Sequence, residues 1–255
     1  MPISQSAFVW YELMTTDIPG AKAFYSNVVG WNTQDMPMPD MTYTILQVGS
    51  EGIGGMMPLP KEALAGGLKP GWTSYVYAAD VDASAAKLSR LGGTVHRAPT
   101  DIPGVGRFSV VSDPQGAMFQ LFKPGQPGER NPSDAPGHIG WHELHTTDWP
   151  KAFAFYTEMF GWLKGDSVDM GPMGTYQLFT LKGAAVGAMF NSPAATTRCF
   201  WLYYFNVDDI DAAALRLTQA GGTVMQGPHQ VPGGRWIVQA TDPQGAWFAL
   251  LGPRK

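Results

Sequence analysis

Glu143 and His145 stand two residues apart in Trp141-His142-Glu143-Leu144-His145. In a strand, whose side chains alternate, the two share a face and His142 points to the other. A carboxylate beside an imidazole can shuttle a proton, one acting as base and the other as acid. It can also offer two donors to a metal, but functional metal sites take three or four N, O or S ligands, so the pair alone falls short. The stretch Trp10-Tyr11-Glu12-Leu13-Met14 keeps the glutamate and has methionine where the histidine stood. Glu143, Glu12 and His145 are therefore the candidate catalytic groups. Four of the five histidines fall in the second half of the chain. Of these, His138 and His229 read as solvated loop residues and His142 as partly buried or at a strand edge, while His96, in the first half, reads as surface.

The two stretches are copies. Trp10-Tyr11-Glu12-Leu13-Met14-Thr15-Thr16-Asp17 returns as Trp141-His142-Glu143-Leu144-His145-Thr146-Thr147-Asp148 at a shift of 131. Phe24-Tyr25 and Gly30-Trp31 follow at the same shift, whereas Gly92-Gly93 and Asp113-Pro114-Gln115-Gly116 recur at 129, which fits one loop deletion. This predicts a first domain over 1–127, a linker over 128–136 and a second domain over 137–255. The linker falls where Gly, Pro, Asn and Ser crowd together between Pro124 and Pro136. Within each copy the punctuation repeats a strand, a helix and three strands. A strand over Phe8–Met14 runs to a cap at Thr16 or Asp17, and a helix with Phe24, Tyr25 and Val28 on one stripe stops at Gly30. Strands are expected near Tyr43–Val48 and Gly54–Met57. Another strand over Trp72–Ala78 leads to a helix capped by Asp80 or Asp82, with Ala86, Leu88 and Leu91 along it and a left-handed cap at Gly92-Gly93. Asp113-Pro114-Gln115-Gly116 suits the turn of a hairpin.

With 17 basic and 21 acidic residues and no basic cluster, the chain has no electrostatic footprint for nucleic acid. No apolar run is long enough for a membrane span and no leader segment is apparent, so the expected location is cytoplasmic. The single cysteine, Cys199, reads as core packing. Neither Ile102-Pro103-Gly104-Val105-Gly106-Arg107 nor Val231-Pro232-Gly233-Gly234-Arg235 follows a strand and opens a helix, so both read as hairpin loops and not as phosphate cradles.

The strand, the Asp-capped helix with Phe-Tyr and Gly-Trp, the Gly-Gly and the Asp-Pro-Gln-Gly together resemble the vicinal oxygen chelate superfamily of glyoxalases, bleomycin-resistance proteins and dioxygenases. The tandem order with Trp-x-Glu-Leu-x-Thr-Thr-Asp is similar to its two-domain type, which includes a mycobacterial secreted antigen. The resemblance implies an α+β fold of four βαβββ modules, with mixed sheets curled into cups and helices on the convex side. It also implies metal ligands on the first and fourth strands of each module. Counted from the capping aspartates, those positions are Trp10, Trp141, Thr73 and Leu202, then Gly54-Gly55, Gly187, Gln120 and Ala249. Of these only Gln120 is read as able to coordinate, and an amide oxygen alone does not hold a transition metal, so no metal and no cofactor is expected.

With Leu13 and Thr15 turned to the helix, period 2 turns Trp10, Glu12 and Met14 into the cup, and Trp141, Glu143 and His145 into its counterpart. Tyr75, Tyr77 and Gln120 join one set, and Tyr204, Asn206 and Trp247 the other, as candidate substrate-binding residues. Several functions fit this pattern. One is a metal-free binder of a small organic molecule, with lyase or isomerase activity that uses a cup glutamate as base. Another is pure sequestration of a ligand, as in resistance proteins. The third is a metal-dependent glyoxalase or dioxygenase relative with ligands from His142 and Glu143. The expected partner is a small molecule, and the chain is expected to be a monomer or homodimer. The glutamates could equally be structural, paired with Arg107, Arg235 or tyrosine hydroxyls.

Overall fold

The computed structural model describes residues 7–38, 41–126, 134–192 and 198–255. Strand β1 (Phe8–Thr15) leads to helix α1 (Ile18–Val28), whose first turn is capped by the Asp17 side chain accepting the Gly20 N–H. β2 (Asn32–Pro37), β3 (Thr42–Val48), β4 (Glu51–Pro58) and the short α2 (Lys61–Ala65) complete the first module. The second runs β5 (Gly71–Tyr77), α3 (Val81–Arg90), β6 (Thr94–Ile102), β7 (Gly106–Ser112) and β8 (Met118–Pro124). The third is β9 (Ile139–Thr146), α4 (Trp149–Phe160), β10 (Leu163–Asp169), β11 (Thr175–Leu181) and β12 (Ala184–Asn191). The fourth is β13 (Phe200–Asn206), α5 (Ile210–Gln219), β14 (Thr223–Gln230), β15 (Trp236–Thr241) and β16 (Trp247–Gly252). Part of the expected linker, residues 128–133, lies outside the described residues.

The strands form two eight-stranded mixed sheets with the same order, β2-β3-β4-β1-β5-β8-β7-β6 and β10-β11-β12-β9-β13-β16-β15-β14. Within each, parallel pairs such as β1 with β4 and β9 with β12 adjoin antiparallel ones such as β3 with β4 and β11 with β12. Asp80 caps α3, and the helix gives way at Gly92, whose φ of +87° suits glycine. The inward stripe of α3 is Val81, Ala85 and Leu88, whereas Ala86 is exposed, because the helix begins at Val81 and its buried face counts from there. The polar outer strands β2 and β10 carry no apolar alternation and escape a search by period. His229 lies exposed on β14 and not in a loop, since the hairpin turn begins only at Val231. Among the described residues no helix is long and apolar enough to cross a membrane.

The chain resolves into two compact units that cut across the repeat. One unites Met1–Val9, Thr73–Asn131 and His142–Trp201, and the other Trp10–Trp72, Pro132–Trp141 and Leu202–Lys255. Each therefore joins one module from the first copy to one from the second. In the first unit Tyr156 stacks on Trp162 at 5.2 Å and Trp162 on Phe179 at 4.5 Å, while Trp201 meets Tyr156 edge-on. In the second, Tyr25 stacks on Trp31 at 5.6 Å, with Phe205 and Phe248 completing the cluster. Burying each such ring stabilises the fold by about 1.5–3 kcal/mol. The repeated Tyr and Trp are thus core residues.

The same motifs build a buried relay in each unit. Trp72 Nε1 donates to the Tyr25 hydroxyl at 2.9 Å, and that hydroxyl donates to Asp242 Oδ2 at 3.1 Å. The other oxygen of Asp242 accepts the N–H groups of Gln244 and Ala246 at 2.9 and 2.8 Å. In the other unit Trp201, Tyr156 and Asp113 repeat this chain, with Gln115 and Ala117 supplying the N–H groups. Burial raises both aspartates above the ordinary carboxylate value, the backbone N–H bonds opposing it in part. It also raises the Tyr25 hydroxyl, with Asp242 adding to the effect. The tyrosine of one copy meets the aspartate of the other, which explains why these motifs recur together.

Candidate functional site

Strand β9 lies between β12 and β13, so neither of its edges is open. On one face His142 is buried, stacked on the Phe8 ring at 3.9 Å and 8°, with Nδ1–H donated to the Val186 carbonyl at 2.7 Å. That bond and the stacking make His142 a packing residue, centrally placed and not at an edge. On the other face Glu143 is 5% exposed and His145 9%. His145 Nε2 lies 2.8 Å from Glu143 Oε1, and the Tyr176 hydroxyl donates to Oε2 at 2.7 Å. A carboxylate oxygen facing this ring accepts, so the contact assigns the N–H to Nε2 and, in that neutral tautomer, the lone pair to Nδ1. No hydrogen bond to that Nδ1 is found among the described residues. The ring is held by Phe200, stacked at 4.5 Å and 14°, and by the edge contact of Phe190 at 4.7 Å. Glu143 thus fixes the tautomer while two rings fix the plane.

The first copy is built differently. Glu12, 5% exposed, accepts the Tyr43 hydroxyl at 3.0 Å, and that hydroxyl accepts Trp10 Nε1 at 2.8 Å. Burial, then the charge of Glu12, raises the Tyr43 hydroxyl well above the usual tyrosine value, which keeps it protonated and donating. Tyr43 lies across Gly55, the register partner of Glu12, so closely that a Cβ there would overlap its hydroxyl and ring. Gly55→Ala is accordingly expected to push Tyr43 off Glu12 at a cost of about 1–3 kcal/mol. A lower urea midpoint together with altered tryptophan emission, from the loss of the Trp10 bond, would show it; two unchanged observables would refute it. Tyr43 and Tyr176 were not among the sequence candidates. The signal was present, since Thr42-Tyr43 recurs as Thr175-Tyr176 at a shift of 133.

The remaining candidates divide between the units. Tyr75 is buried edge-on against Phe122 at 5.5 Å and pairs in register with buried Gln120, while Tyr77 is half-exposed. These three share the unit of Glu143. Trp10, Trp141, Tyr204, Asn206 and Trp247 share that of Glu12. Tyr204 is buried and its hydroxyl accepts Gln239 Nε2 at 2.9 Å. Asn206 accepts Arg235 at 2.8 Å and backs so closely on Gly140 that a Cβ there would overlap it, which is a scaffolding position. Trp141 is half-buried, and Trp247 is 39% exposed. Neither arginine considered for the glutamates reaches them: Arg107 binds Asp82 and Asp101, and Arg235 binds Asn206 and the Leu251 carbonyl. The tyrosine hydroxyls do.

The implied metal positions remain Trp, Thr, Leu, Gly, Ala and Gln, and among the described residues no group of three or more His, Cys, Asp or Glu could hold a metal ion. Glu143 and His145 bring two donors, with both Glu143 oxygens already engaged. These residues do not fit a transition-metal chelate.

Comparison places this fold in a class. The model of the Glyoxalase/Bleomycin resistance protein/Dioxygenase superfamily matches residues 7–121 and again 136–250, and the chain belongs to that superfamily. Among its relatives is "Putative glyoxylase CFP32" of Mycobacterium tuberculosis, 34% identical over 96% of this chain and 94% of that protein. Another is "Anthracycline biosynthesis protein DnrV" of Streptomyces peucetius, 28% identical over 95% of this chain and 91% of that protein. Of solved structures, the Mn(II)-bound glyoxalase from Novosphingobium aromaticivorans has a TM-score of 0.69 at 16% identity, covering 100% of this chain and 84% of that one. The 2,3-dioxygenase LapB from Pseudomonas sp. KL28 has a TM-score of 0.68 at 14% identity, covering 99% and 94%. Both share the fold.

Proposed function

We propose that this chain binds a small organic molecule and moves a proton on it at the second-copy site without a metal, as an isomerase or lyase would. The observation that carries this is the buried Glu143–His145 contact of 2.8 Å, with Nδ1 of the histidine left as the base. His145, more than a cup glutamate, is then the group that meets substrate. Its Nδ1 would take a proton from a carbon next to a carbonyl, the imidazolium being stabilised by the Glu143 carboxylate, and would return it to the neighbouring atom of the same molecule. Tyr176 acts through Glu143 as a positioning residue. Phe190 and Phe200 offer apolar surface to the body of the ligand, which suits an aromatic or otherwise apolar compound. The names of the relatives, a glyoxylase and an anthracycline biosynthesis protein, are compatible with a carbonyl compound or an aromatic one.

A binding-only role fits the first copy, where Met14 stands in place of the histidine and Tyr43 engages Glu12. The test is a panel of α-hydroxy aldehydes and ketones incubated with the full chain in D2O, with carbon-bound deuterium followed by NMR. Exchange that depends on His145 supports the proposal; panel-wide silence, or exchange indifferent to His145, sinks it.

A further inference from the structure

We infer that the groove between α1 and the strands β2 and β3 is a second binding site, one that takes a neutral bicyclic aromatic molecule bearing a hydroxyl group. The groove is an open cleft of about 650 Å³ with Ile18, Pro19, Met41 and Pro58 on its apolar walls and Lys22 and Asp35 as its polar corner. That size lies within the range of small-molecule pockets.

The duplication says what belongs there. At the shift of 131, Ile18 and Lys22 correspond to Trp149 and Phe153, and in the second copy those two rings occupy the helix–strand corner. Lys164 Nζ lies 5.4 Å from the centroid of each, a cation–π cap over both, and Phe153 is only 4% exposed. Where one copy fills this place with an indole and a phenyl ring of its own, the other has an isoleucine, a lysine and a cleft. A bicyclic ring entering the cleft would cover apolar walls that the second copy covers internally.

The polar corner reads the substituent. Lys22 Nζ contacts both Asp35 oxygens, at 3.0 and 2.9 Å, and buried Thr44 donates to Asp35 Oδ1 at 2.8 Å. The lysine holds the Asp35 carboxyl below its ordinary value, so the pair is ionised and carries no net charge. A neutral pair of this kind favours neither anion nor cation. It suits a hydroxyl, which can donate to the carboxylate and accept from the ammonium at once.

The probe is 2-naphthol, titrated into the full chain and followed by two-dimensional amide NMR, with 2-naphthoate as the charged comparison. The expected result is saturable shifts of the Thr42, Thr44 and Lys22 amides, with 2-naphthoate at least fivefold weaker. The double variant I18W/K22F, which copies the second-copy filling, should abolish these shifts, and Lys22→Met, which leaves the cleft open, should weaken 2-naphthol several-fold. Shifts confined to the Glu143 face, equal or tighter binding of the carboxylate, or binding that survives both variants would overturn the inference. None of these outcomes depends on turnover at His145.

Discussion

Replacing Asp242 by alanine is expected to destabilise the protein by about 3–5 kcal/mol, the sum of several buried groups left without partners at roughly 1–3 kcal/mol each. Asp242 is 3% exposed and accepts from the Gln244 and Ala246 N–H groups and from the Tyr25 hydroxyl. The Tyr25 side chain is 0% exposed and loses its acceptor, while Trp72 still donates into its oxygen. For a chain of this length such a loss lowers Tm by roughly 6–20 °C. Asp242→Asn should cost far less, about 1 kcal/mol, because an amide oxygen still accepts both backbone bonds and no charge is buried.

The sign of the pH effect follows from the same burial. The folded-state value of Asp242 is raised, so the native state holds this proton more tightly than the unfolded chain does. Its contribution is full below the ordinary carboxylate value of 3.8 and is lost as pH rises from there through the raised folded value. The gap between wild type and Asp242→Asn should therefore change across that window, with the wild type losing ground as pH rises. Urea unfolding followed by tryptophan fluorescence at several pH values measures both effects. An alanine variant within 1 kcal/mol of wild type, or a gap independent of pH, would show that the relay does not hold the unit together.

At the second-copy site, His145→Ala is expected to reduce deuterium exchange by about 10²–10⁴-fold, the usual worth of a positioned general base. Glu143→Gln should bring a loss of similar order while the chain stays folded. An amide can accept the same Nε2–H bond but cannot stabilise the imidazolium, and its NH2 group can turn the imidazole to the wrong tautomer. Tyr176→Phe removes one donor to Glu143 at 2.7 Å and should cost roughly tenfold, since its hydroxyl acts through the carboxylate. The ordering separates the two assignments of the base. If Glu143 itself took the proton, His145→Ala would keep most of the exchange and Glu143→Gln would lose it. Ligand affinity measured alongside by calorimetry distinguishes lost proton transfer from lost binding.

Which parts of this were legible beforehand follows from how local each signal is. The caps at Asp17 and Asp80, the hairpin at Asp113 and the face shared by Glu143 and His145 are decided within a few residues, and they stand where pattern and period put them. On α3 packing buries Ala85 and leaves Ala86 exposed, a choice no pattern makes, because the two alanines are interchangeable to it. The polar outer strands β2 and β10 have no buried face to announce them. By pattern alone His142 reads as a possible ligand or edge residue, because the Phe8 ring that stacks on it comes from a distant part of the chain.

By itself, then, the amino-acid sequence determined that the chain is a duplication of βαβββ modules in this superfamily, and that each copy carries a glutamate on the first strand. Duplication, alternation and capping are properties of neighbours along the chain. Only the tertiary structure decided the partners, because a hydrogen bond across strands or between modules depends on positions far apart in the chain. Tyr43 reaches Glu12 over 31 positions, Tyr176 reaches Glu143 over 33, and Tyr25 reaches Asp242 over 217. Those partners turned the repeated tyrosine and Asp-Pro-Gln-Gly into a structural relay. They also turned two similar glutamates into unlike sites, one braced by Tyr43 and Trp10 and the other orienting His145.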